Sequence, residues 1–374
     1  MTVAIIANYL GPKLGIGQYI DQLIQPLVRS LRQESVDVLV LGSPNAVKNT
    51  PALRDWQHWV EDADSATLKV LPQLDDAPGK RYAWFALRYT SYCKAAVIDR
   101  VVWLSNPIVM PWHPPTLAVI HDVNEWKAAE KYGSRLKTAL RSLVYLDTSL
   151  KCAKNIVAIS KATEADLLYF RDSAALRQKL KVILNGADSQ LKTQPPVSIP
   201  QPEHPFLLSV GRIDPAAKRL PEAVNLVSAI RSLSNVPWEL HILGGMNTST
   251  QAAGEDFLQS VKPLSWVHYH GHVEDAVLAE WYRHTAGVVF LSDNEGFGFP
   301  IAEAASFNRW AIVSHKNAAG SESGSDALIT IDAEQSQSAA AEVIYRLQQG
   351  SPPTVSLPSW ADAASAYADA IREL

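Results

Sequence analysis

Residues 291–303 read Leu291-Ser-Asp-Asn-Glu295-Gly-Phe-Gly-Phe-Pro-Ile-Ala-Glu303. An apolar run ends at Leu291, two glycines follow in a short turn, and Pro300 suits the first turn of a helix. Glycine lets backbone N–H groups approach an anion closely, and the helix N-terminus carries a partial positive charge. The stretch predicts a strand–turn–helix unit that could bind a phosphate or polyhydroxyl ligand, with Glu295 and Glu303 as hydrogen-bond acceptors. An acidic loop followed by a solvated helix glutamate is the alternative.

Outward from this stretch, short apolar runs alternate with helical patterns along the whole chain. Continuous apolar strands separated by helices are typical of parallel sheets that are covered on both faces. The predicted strands are Val3–Ala7, Val36–Leu41, Val101–Leu104, Leu117–Ile120, Ile156–Ile159, Phe206–Val210, Glu239–Leu243, Val267–Tyr269, Val288–Leu291 and Ala311–Val313. The predicted fold class is therefore α/β, with one parallel sheet in each half of the chain.

The length of 374 residues fits two domains better than one. A segment rich in proline and polar residues, 191–203, is the predicted linker between domains at 1–190 and 204–355. A serine N-cap predicts a final helix within 358–374, which we expect to cross back to the first domain. Ligands of such sheets bind at the carboxyl ends of the strands, so two facing domains would share a cleft.

Composition excludes several classes of protein. Charged residues make up 19% and the net charge is -4, which argues against disorder, a coiled coil and a nucleic-acid binder. The net charge hides an asymmetry: residues 1–190 carry 23 basic and 18 acidic side chains, whereas residues 191–374 carry 11 and 20. Cys93 and Cys152 form no CxxC pattern, which favours a reducing compartment. An apolar N-terminus that predicts a first strand and the lack of long apolar runs indicate a cytoplasmic protein.

The pattern Glu-Gly-Phe-Gly-Phe-Pro-x-x-Glu at 295–303 resembles the E-x7-E signature of family four of the retaining, nucleotide-sugar-dependent glycosyltransferases with the GT-B fold. Other segments resemble family motifs in the same order along nearly the whole chain. They are Leu14-Gly-Ile-Gly-Gln-Tyr-Ile20, Ile120-His-Asp122, Ile159-Ser160-Lys-Ala-Thr163, Ile183-Leu-Asn-Gly-Ala-Asp188, Val210-Gly-Arg212 with Lys218, Gly271-His-Val273 and Ser359-Trp360. The resemblance implies two Rossmann-like domains that face each other across a cleft.

The resemblance also implies roles for individual residues. Arg212 and Lys218 would bind the donor diphosphate, which suits a guanidinium and an ammonium. Glu303 would hold the ribose hydroxyls, and His121 would face the donor sugar. The other residues implied to contact the donor are Gly15, Gly17, Val273, Glu295, Gly296, Phe297, Gly298 and Phe299. Catalytic roles are implied for Glu295, His121, Arg212 and Lys218, with no metal ion and no cofactor besides the nucleotide sugar as co-substrate.

Two segments depart from the family pattern. Lys218 lies one position later after Arg212 than the family spacing, which leaves open whether Lys218 or Arg219 faces the diphosphate. The segment 307–310, Phe-Asn-Arg-Trp, replaces the usual Gly-x-Pro turn. Because asparagine tolerates the left-handed conformation, we expect Asn308 to preserve the turn, while Arg309 and Trp310 have no explanation in the sequence.

Other patterns point to other kinds of site. The Gly15-x-Gly17 loop lacks the third glycine of a dinucleotide fingerprint. Asp62-Ala-Asp64 has the form of a metal-binding DxD, but no apolar strand precedes it, and a surface loop is favoured. The histidines in His268-Tyr-His270-Gly-His272 could bind a metal, but without an obvious carboxylate or cysteine companion they are interpreted as strand and turn residues. His121-Asp122 has no Gly-x-Ser-x-Gly partner, so a hydrolytic triad is set aside.

The first half of the chain contains two segments that could interact with the sugar acceptor. Residues 80–94 place Tyr82, Phe85, Tyr89 and Tyr92 on one helical stripe, beside basic side chains. Further cations recur at Lys127, Lys131, Arg135, Lys137, Arg141, Lys151, Lys154 and Lys161. This pattern is compatible with a lipid-linked acceptor at an anionic membrane surface, although a core helix with solvated basic flanks is favoured.

The sequence therefore predicts a retaining glycosyltransferase that moves a hexose from a nucleotide-diphosphate sugar to a saccharide or lipid-linked saccharide acceptor, in cell-envelope or exopolysaccharide biosynthesis. Its predicted location is cytoplasmic, with peripheral contact to the inner face of the cytoplasmic membrane as a further hypothesis. The alternatives are a catalytically inactive subunit that binds a nucleotide sugar, and a nucleotide-sugar epimerase on the same fold. The donor base, the sugar and the acceptor are left open.

Overall fold

The computed structural model describes residues 1–8, 15–60, 66–105, 107–127, 146–248, 250–317, 325–354 and 357–374. The chain forms two units: unit 1 contains Met1–Gly186 and Pro358–Leu374, and unit 2 contains Ala187–Leu357. The chain thus passes from unit 1 to unit 2 before residue 190. The segment predicted as a linker, 191–203, lies within unit 2, where Leu191 and Ile199 are buried in the hydrophobic core.

Unit 1 is built on a seven-stranded parallel sheet. Its strands are β1 (Thr2–Ala7), β2 (Asp37–Gly42), β3 (Ala66–Val70), β4 (Arg100–Trp103), β5 (Thr116–Ile120), β6 (Asn155–Ala158) and β7 (Leu180–Val182). The order across the sheet is β3-β2-β1-β4-β5-β6-β7. The chain therefore builds the sheet outward in both directions from the adjacent strands β1 and β4, which is the topology of a doubly wound, Rossmann-like domain.

The helices of unit 1 mostly connect consecutive strands. They are α1 (Gly15–Gln33), α2 (Pro44–Asn49), α3 (Pro51–Arg54), α4 (Trp56–Trp59), α5 (Pro78–Leu87), α6 (Tyr89–Ala95), α7 (Asn124–Lys127), α8 (Thr148–Cys152), α9 (Lys161–Arg171) and α10 (Ala174–Lys179). Ser160 caps α9 by accepting a hydrogen bond from the backbone N–H of Thr163, so the serine predicted to open a helix does so.

Unit 2 is built on a six-stranded parallel sheet. Its strands are β8 (Phe206–Val210), β9 (Glu239–Leu243), β10 (Val267–Tyr269), β11 (Gly287–Phe290), β12 (Trp310–Ser314) and β13 (Leu328–Ile331). The order is β10-β9-β8-β11-β12-β13. The direction of winding reverses between β8 and β11, and ligands of doubly wound sheets bind beyond the carboxyl ends of such a strand pair.

The helices of unit 2 are α11 (Leu220–Ser234), α12 (Gln251–Val261), α13 (Asp275–His284), α14 (Phe299–Ser306) and α15 (Ala340–Gln348). Short 3-10 turns lie at Gln190–Thr193, Ser325–Ala327 and Ala333–Gln335, and one in unit 1 lies at Pro72–Asp75. Buried side chains form one hydrophobic cluster that includes α11 and another that includes α13 and α14. The helix predicted from Pro300 is therefore anchored in the core of its own unit.

The last helix, α16 (Trp360–Arg372), packs against α1 in unit 1. Its start is fixed by a capping box in which Ser359 and Asp362 exchange side-chain and backbone hydrogen bonds. The hydroxyl of Tyr19 donates to that of Tyr367 over 2.7 Å, and both tyrosines are buried. Gly186 is in close contact with Trp360, because a Cβ added there would lie only 2.3 Å from the backbone nitrogen of Trp360.

The aromatic stripe predicted for residues 80–94 faces the core of unit 1. The helix breaks at Arg88, and Phe85 and Tyr89 are completely buried against Trp103. This is the core-helix interpretation that the sequence favoured. Of the cations that follow, Lys127 forms an ion pair with Asp166 at 2.5 Å. The residues Lys131, Arg135, Lys137 and Arg141, like Asp62 and Asp64, lie outside the described residues.

No helix among the described residues is long and apolar enough to cross a membrane. Every predicted strand is present to within two residues at its ends. Three further strands, β3, β7 and β13, were not predicted, and each lies at an edge of its sheet. Two parallel-sheet, Rossmann-like domains in an α/β chain agree with the predicted fold class.

Candidate active site

The Gly-rich turn after β11 sets the start of helix α14. Gly298 occupies the N-cap with φ of 86°, a left-handed conformation that favours glycine. A Cβ at this position would also come within 3.0 Å of the Ile301 side chain. Phe297 is buried, Gly296 is half-buried, and Phe299 begins the helix. The turn therefore ends in a helix N-terminus, the feature on which the predicted anion site depends.

Glu295 lies in this turn and forms an ion pair with Lys218, which follows β8. The Lys218 ammonium also lies 4.8 Å from the centre of the Phe290 ring, at the end of β11. Each of the two charged side chains is 20% exposed, so both remain accessible to a ligand. The pair thus links the loops beyond β8 and β11, the two strands at which the winding reverses.

Arg212 lies on the same loop after β8. Its Nη2 donates to Asp214 over 3.0 Å, while its Nε is buried and has no hydrogen-bond partner within the described part of the chain. Asp214 also accepts from the backbone N–H of Ala217, which holds the loop in a turn before Lys218. A small pocket beyond the strand ends is lined by Arg212 and Lys218 together with Gly211 and Phe290. Two cations therefore line one pocket at the switch point of the sheet.

Arg219, the other cation that could follow Arg212, has different partners. Its Nε donates to Asp293 over 2.8 Å, and its guanidinium also contacts Glu222 at 3.3 Å and Glu334 at 3.5 Å. Burial tends to raise the pKa of the Asp293 carboxyl, but hydrogen bonds from Ser314 and Arg219 outweigh it and keep this pKa below its ordinary value. In this structure Lys218 lines the pocket, while Arg219 holds three carboxylates.

Glu303, on α14, is buried and accepts a hydrogen bond from the hydroxyl of Tyr282 over 2.6 Å. Burial and then the nearby carboxylate raise the pKa of Tyr282 well above its ordinary value, so the phenol keeps its proton and remains a donor. The Tyr282 ring is stacked on Phe307 at 5.5 Å. Glu295 and Glu303 thus have different partners, a lysine in one case and a buried phenol in the other.

Sequence reasoning missed Tyr282, Asp293 and Ser314. Ser314 donates to Asp293 over 2.6 Å and begins the loop after β12. No spacing pattern marks these contacts, because each joins residues about twenty positions apart on different elements. The only signal for Asp293 is its place between Leu291 and Glu295, directly after a buried strand.

The segment that departs from the family pattern has a structural role. Asn308 has φ of 53°, the left-handed conformation that was expected for it. Arg309 donates to the backbone carbonyls of Tyr282 and Arg283 at the end of α13. The indole N–H of Trp310 donates to the carbonyl of Gly350 over 2.7 Å. Arg309 thus satisfies the open carbonyls of a helix C-terminus and helps to fix the helix that carries Tyr282.

In unit 1, His121 follows β5 and is 9% exposed. Its Nε2 donates to the Leu104 carbonyl over 2.8 Å, and its ring meets Tyr19 edge to face at 4.6 Å. Burial lowers the pKa of His121 to about 4, so the imidazole is neutral near pH 7 and its Nδ1 is a hydrogen-bond acceptor.

Three further residues predicted to contact the donor are on other elements. Gly15 is the first residue of α1 and is exposed. Gly17, two positions later in the same helix, is buried. Val273 is half-buried in unit 2 and packs against the core beneath α13. The structure brings together Arg212, Lys218 and Glu295, whereas Glu303 is held separately by Tyr282.

Part of the chain matches a known protein family. Residues 204–349 match the family model described as Glycosyl transferases group 1. These residues lie entirely within unit 2. Comparison with curated protein sequences gives no match. The matched part of the chain contains Arg212, Lys218, Glu295 and Glu303.

Solved structures share the fold of the whole chain. WaaG, a glycosyltransferase involved in lipopolysaccharide biosynthesis, is 16% identical, with a TM-score of 0.64 over 98% of this chain and 95% of WaaG. HepE from Anabaena, solved with UDP and glucose, is 15% identical, with a TM-score of 0.62 over 99% and 95%. UDP-GlcNAc 2-epimerase from Methanocaldococcus jannaschii is 13% identical, with a TM-score of 0.56 over the full length of both chains. The predicted GT-B fold is confirmed.

Proposed function

We propose that this protein is a retaining, metal-independent glycosyltransferase of family four. It transfers a hexose from a nucleotide-diphosphate sugar to a saccharide or lipid-linked saccharide acceptor. The group 1 domain and the GT-B fold support a glycosyltransferase. The binding of UDP and glucose by HepE supports a nucleotide-sugar donor, and the role of WaaG in lipopolysaccharide biosynthesis supports a place in cell-envelope or exopolysaccharide assembly.

One observation carries the proposal: Arg212 and Lys218 line one pocket at the switch point of unit 2, and Lys218 is paired with Glu295 from the loop after β11. A diphosphate bound beside these two side chains meets a guanidinium suited to two parallel hydrogen bonds and an ammonium that acts as a point charge. The ligand would compete with Glu295 for Lys218 and leave that carboxylate available to sugar hydroxyls.

The proposed reaction depends on charge and position. As the bond between the anomeric carbon and the diphosphate oxygen breaks, negative charge develops on the diphosphate, where Arg212 and Lys218 stabilise it. The acceptor hydroxyl attacks from the face that the diphosphate leaves, through an oxocarbenium-like transition state, and its proton passes to the departing diphosphate oxygen, so the anomeric configuration is retained. Glu303 holds the ribose hydroxyls and Glu295 the transferred sugar. These contacts fix the reacting groups in place and lower the entropic cost of the reaction.

Residues from unit 1 complete the proposal. The neutral His121 ring offers its Nδ1 as an acceptor for a sugar hydroxyl, because its Nε2 is bound to Leu104. Gly15 and Gly17, at the start of α1, would let this part of the chain approach the donor sugar and phosphates closely. The backbone of Gly296–Phe299 would contact the transferred sugar, and Val273 the nucleoside.

The test begins with the donor, since neither base nor sugar is known. A thermal-shift screen of UDP-, GDP- and ADP-sugars identifies it, because a ligand that binds only the folded state raises the melting temperature with the logarithm of its excess. Turnover is then measured for the wild type, Glu295→Gln and the matched control Glu342→Gln on α15. We expect Glu295→Gln to lower kcat by about a hundredfold or more and the control to leave it unchanged. Equal rates for Glu295→Gln and the wild type would refute the assignment.

The same assays distinguish the alternatives. A subunit that only binds would show donor binding without release of the sugar to any acceptor, and an epimerase would convert the donor without an acceptor. The two segments that depart from the family pattern each have a role in this structure. Lys218 lines the pocket despite its shifted position, and Arg309 stabilises the end of α13.

A lipid-linked acceptor would place the enzyme at the inner face of the cytoplasmic membrane. The exposed cations of unit 1, among them Lys151 and Lys154, support peripheral attraction to anionic lipid. In the aromatic stripe, in contrast, Phe85 and Tyr89 are completely buried in the core of unit 1. We therefore propose a weak, electrostatic membrane contact.

A further inference from the structure

A cluster of histidines and a carboxylate lies on two neighbouring strands of unit 2. In the parallel pairing of β9 with β10, His241 is the direct partner of His268, and the two rings are stacked at 4.7 Å. Side chains alternate between the faces of a strand, so Glu239 is on the same face of β9 as His241. Three metal-ligating side chains are thereby brought to one point near the edge of the sheet.

The ligating atoms of this cluster converge. The Nε2 of His241 lies 3.0 Å from Oε2 of Glu239, and the Nε2 of His268 lies 3.8 Å from the same oxygen. One ligating atom from each residue lies within 4.8 Å of the other two. Moreover, the Nε2 of His268 is buried and has no hydrogen-bond partner within the described part of the chain. A buried ring nitrogen that faces a carboxylate beyond hydrogen-bond distance calls for a third atom between them.

A second contact orients His241. Its Nδ1 lies 2.9 Å from Nε2 of His270, and the two rings are nearly parallel. Trp281, on α13, packs against both rings at 4.6 Å. In metal sites the other ring nitrogen of a ligating histidine is usually held in this way, which fixes the tautomer and the ring orientation. The tautomer in which Nδ1–H donates to His270 leaves the Nε2 lone pair of His241 directed at the shared site.

We propose that Glu239, His241 and His268 form a zinc site, with Oε2 and the two Nε2 atoms as ligands and water in the fourth position. A tetrahedral zinc ion with bonds near 2.0–2.1 Å keeps its ligands about 3.3 Å apart, and the observed 3.0 Å and 3.8 Å lie on either side of this spacing. Two imidazoles and a carboxylate suit Zn²⁺ better than Mg²⁺ or Ca²⁺, which prefer oxygen ligands throughout.

This proposal goes beyond the interpretation of the histidines as strand and turn residues. The carboxylate that seemed to be missing comes from the neighbouring strand, because the register of β9 and β10 places His268 beside His241. Since β10 is the edge strand of its sheet, the ion would fasten that edge to β9. Glu239 is the first residue of β9, away from the carboxyl ends where the donor pocket lies. The role is therefore structural and does not depend on the proposed transferase activity.

The test is zinc binding by the full chain after treatment with a chelator. Isothermal titration with ZnSO4 is expected to show one strong site per chain, and His268→Gln and Glu239→Gln should each weaken it at least tenfold. The control His58→Gln replaces an exposed histidine of unit 1 and should bind zinc like the wild type. His268 is on an edge strand with a side chain 37% exposed, so its replacement should leave the fold intact, which circular dichroism checks.

A thermal measurement gives a second readout. Zinc at a hundredfold excess over its Kd should raise the melting temperature of the wild type and of His58→Gln by about 5 °C or more, and should have little effect on His268→Gln. The proposal is overturned if the wild type shows no saturable zinc binding. It is also overturned if His268→Gln and Glu239→Gln bind zinc as tightly as His58→Gln.

Discussion

At the residue scale, the adjacent cations Lys218 and Arg219 are distinguished by their neighbours. Lys218 lines the pocket with Arg212, while Arg219 is engaged by Asp293 and two other carboxylates. If the pocket binds a diphosphate, Lys218→Met should raise the Kd of the donor about 10- to 100-fold, because a hydrogen bond to a charged group contributes about 1.5–3 kcal/mol. Arg219→Met should change that Kd less than about threefold while it lowers the free energy of unfolding.

Isothermal titration with the donor and urea denaturation of the two variants provide the measurements. Each variant is the control for the other, since both remove one positive charge from neighbouring positions. A larger loss of donor affinity in Arg219→Met than in Lys218→Met would show that Arg219, and not Lys218, binds the phosphates.

Also at the residue scale, the pair of Tyr282 and Glu303 links the stability of unit 2 to donor binding. Tyr282→Phe removes the hydroxyl that donates to the buried Glu303 carboxylate. We expect the free energy of unfolding to fall by about 1–3 kcal/mol and the KM for the donor to rise, because Glu303 loses the contact that orients it. Urea denaturation and initial-rate kinetics measure the two effects.

Tyr345→Phe is the matched control, since Tyr345 is 59% exposed on α15 and loses the same hydroxyl. If both phenylalanine variants unfold at the same urea concentration, the hydrogen bond between Tyr282 and Glu303 does not stabilise the protein. A KM unchanged in Tyr282→Phe would separate Glu303 from donor binding.

At the element scale, the central strands could be predicted because a strand that is buried on both faces is a nearly continuous run of apolar residues. Of the four edge strands, β10 was predicted, whereas β3, β7 and β13 were not. In β3 only the first of five residues is buried, and β7 has three residues that are all half-buried, so neither has an apolar run. The same limit applies to the site. Glu295, Pro300 and Glu303 share one local stretch, whereas the contacts of Tyr282 depend on how α13 packs.

Packing between elements also explains the Asn-Gly-Ala-Asp segment at 185–188. Gly186 allows the start of α16 to approach, so Gly186→Ala should force the helix away and lower the free energy of unfolding by about 2 kcal/mol or more. Gly79→Ala on α5 is the control, because a Cβ there meets no atom within 4 Å. It should be neutral or slightly stabilising. Thermal and urea denaturation compare the two, and equal stability would show that α16 does not need this close approach.

At the scale of the whole molecule, the charge of the two halves differs in sign. Residues 1–190 have a net charge of +5 and residues 191–374 of -9, so the overall value of -4 describes neither. The acidic second half nevertheless keeps Arg212 and Lys218 at its pocket. The first half presents cations such as Lys151 and Lys154, whereas its aromatic stripe is buried. We expect a membrane contact made by these cations to be sensitive to salt.

Flotation with lipid vesicles tests this directly. We expect the protein to float with anionic phospholipid vesicles at low salt and not with neutral ones, because each cation near an anionic surface contributes about 1 kcal/mol. At about 0.5 M NaCl the attraction is screened within a few ångströms and binding should be lost. Lys151→Glu with Lys154→Glu should weaken binding, whereas Lys192→Glu with Lys262→Glu, the matched exposed pair in unit 2, should not. Binding that persists at high salt would point to insertion, and no binding at low salt would exclude the contact.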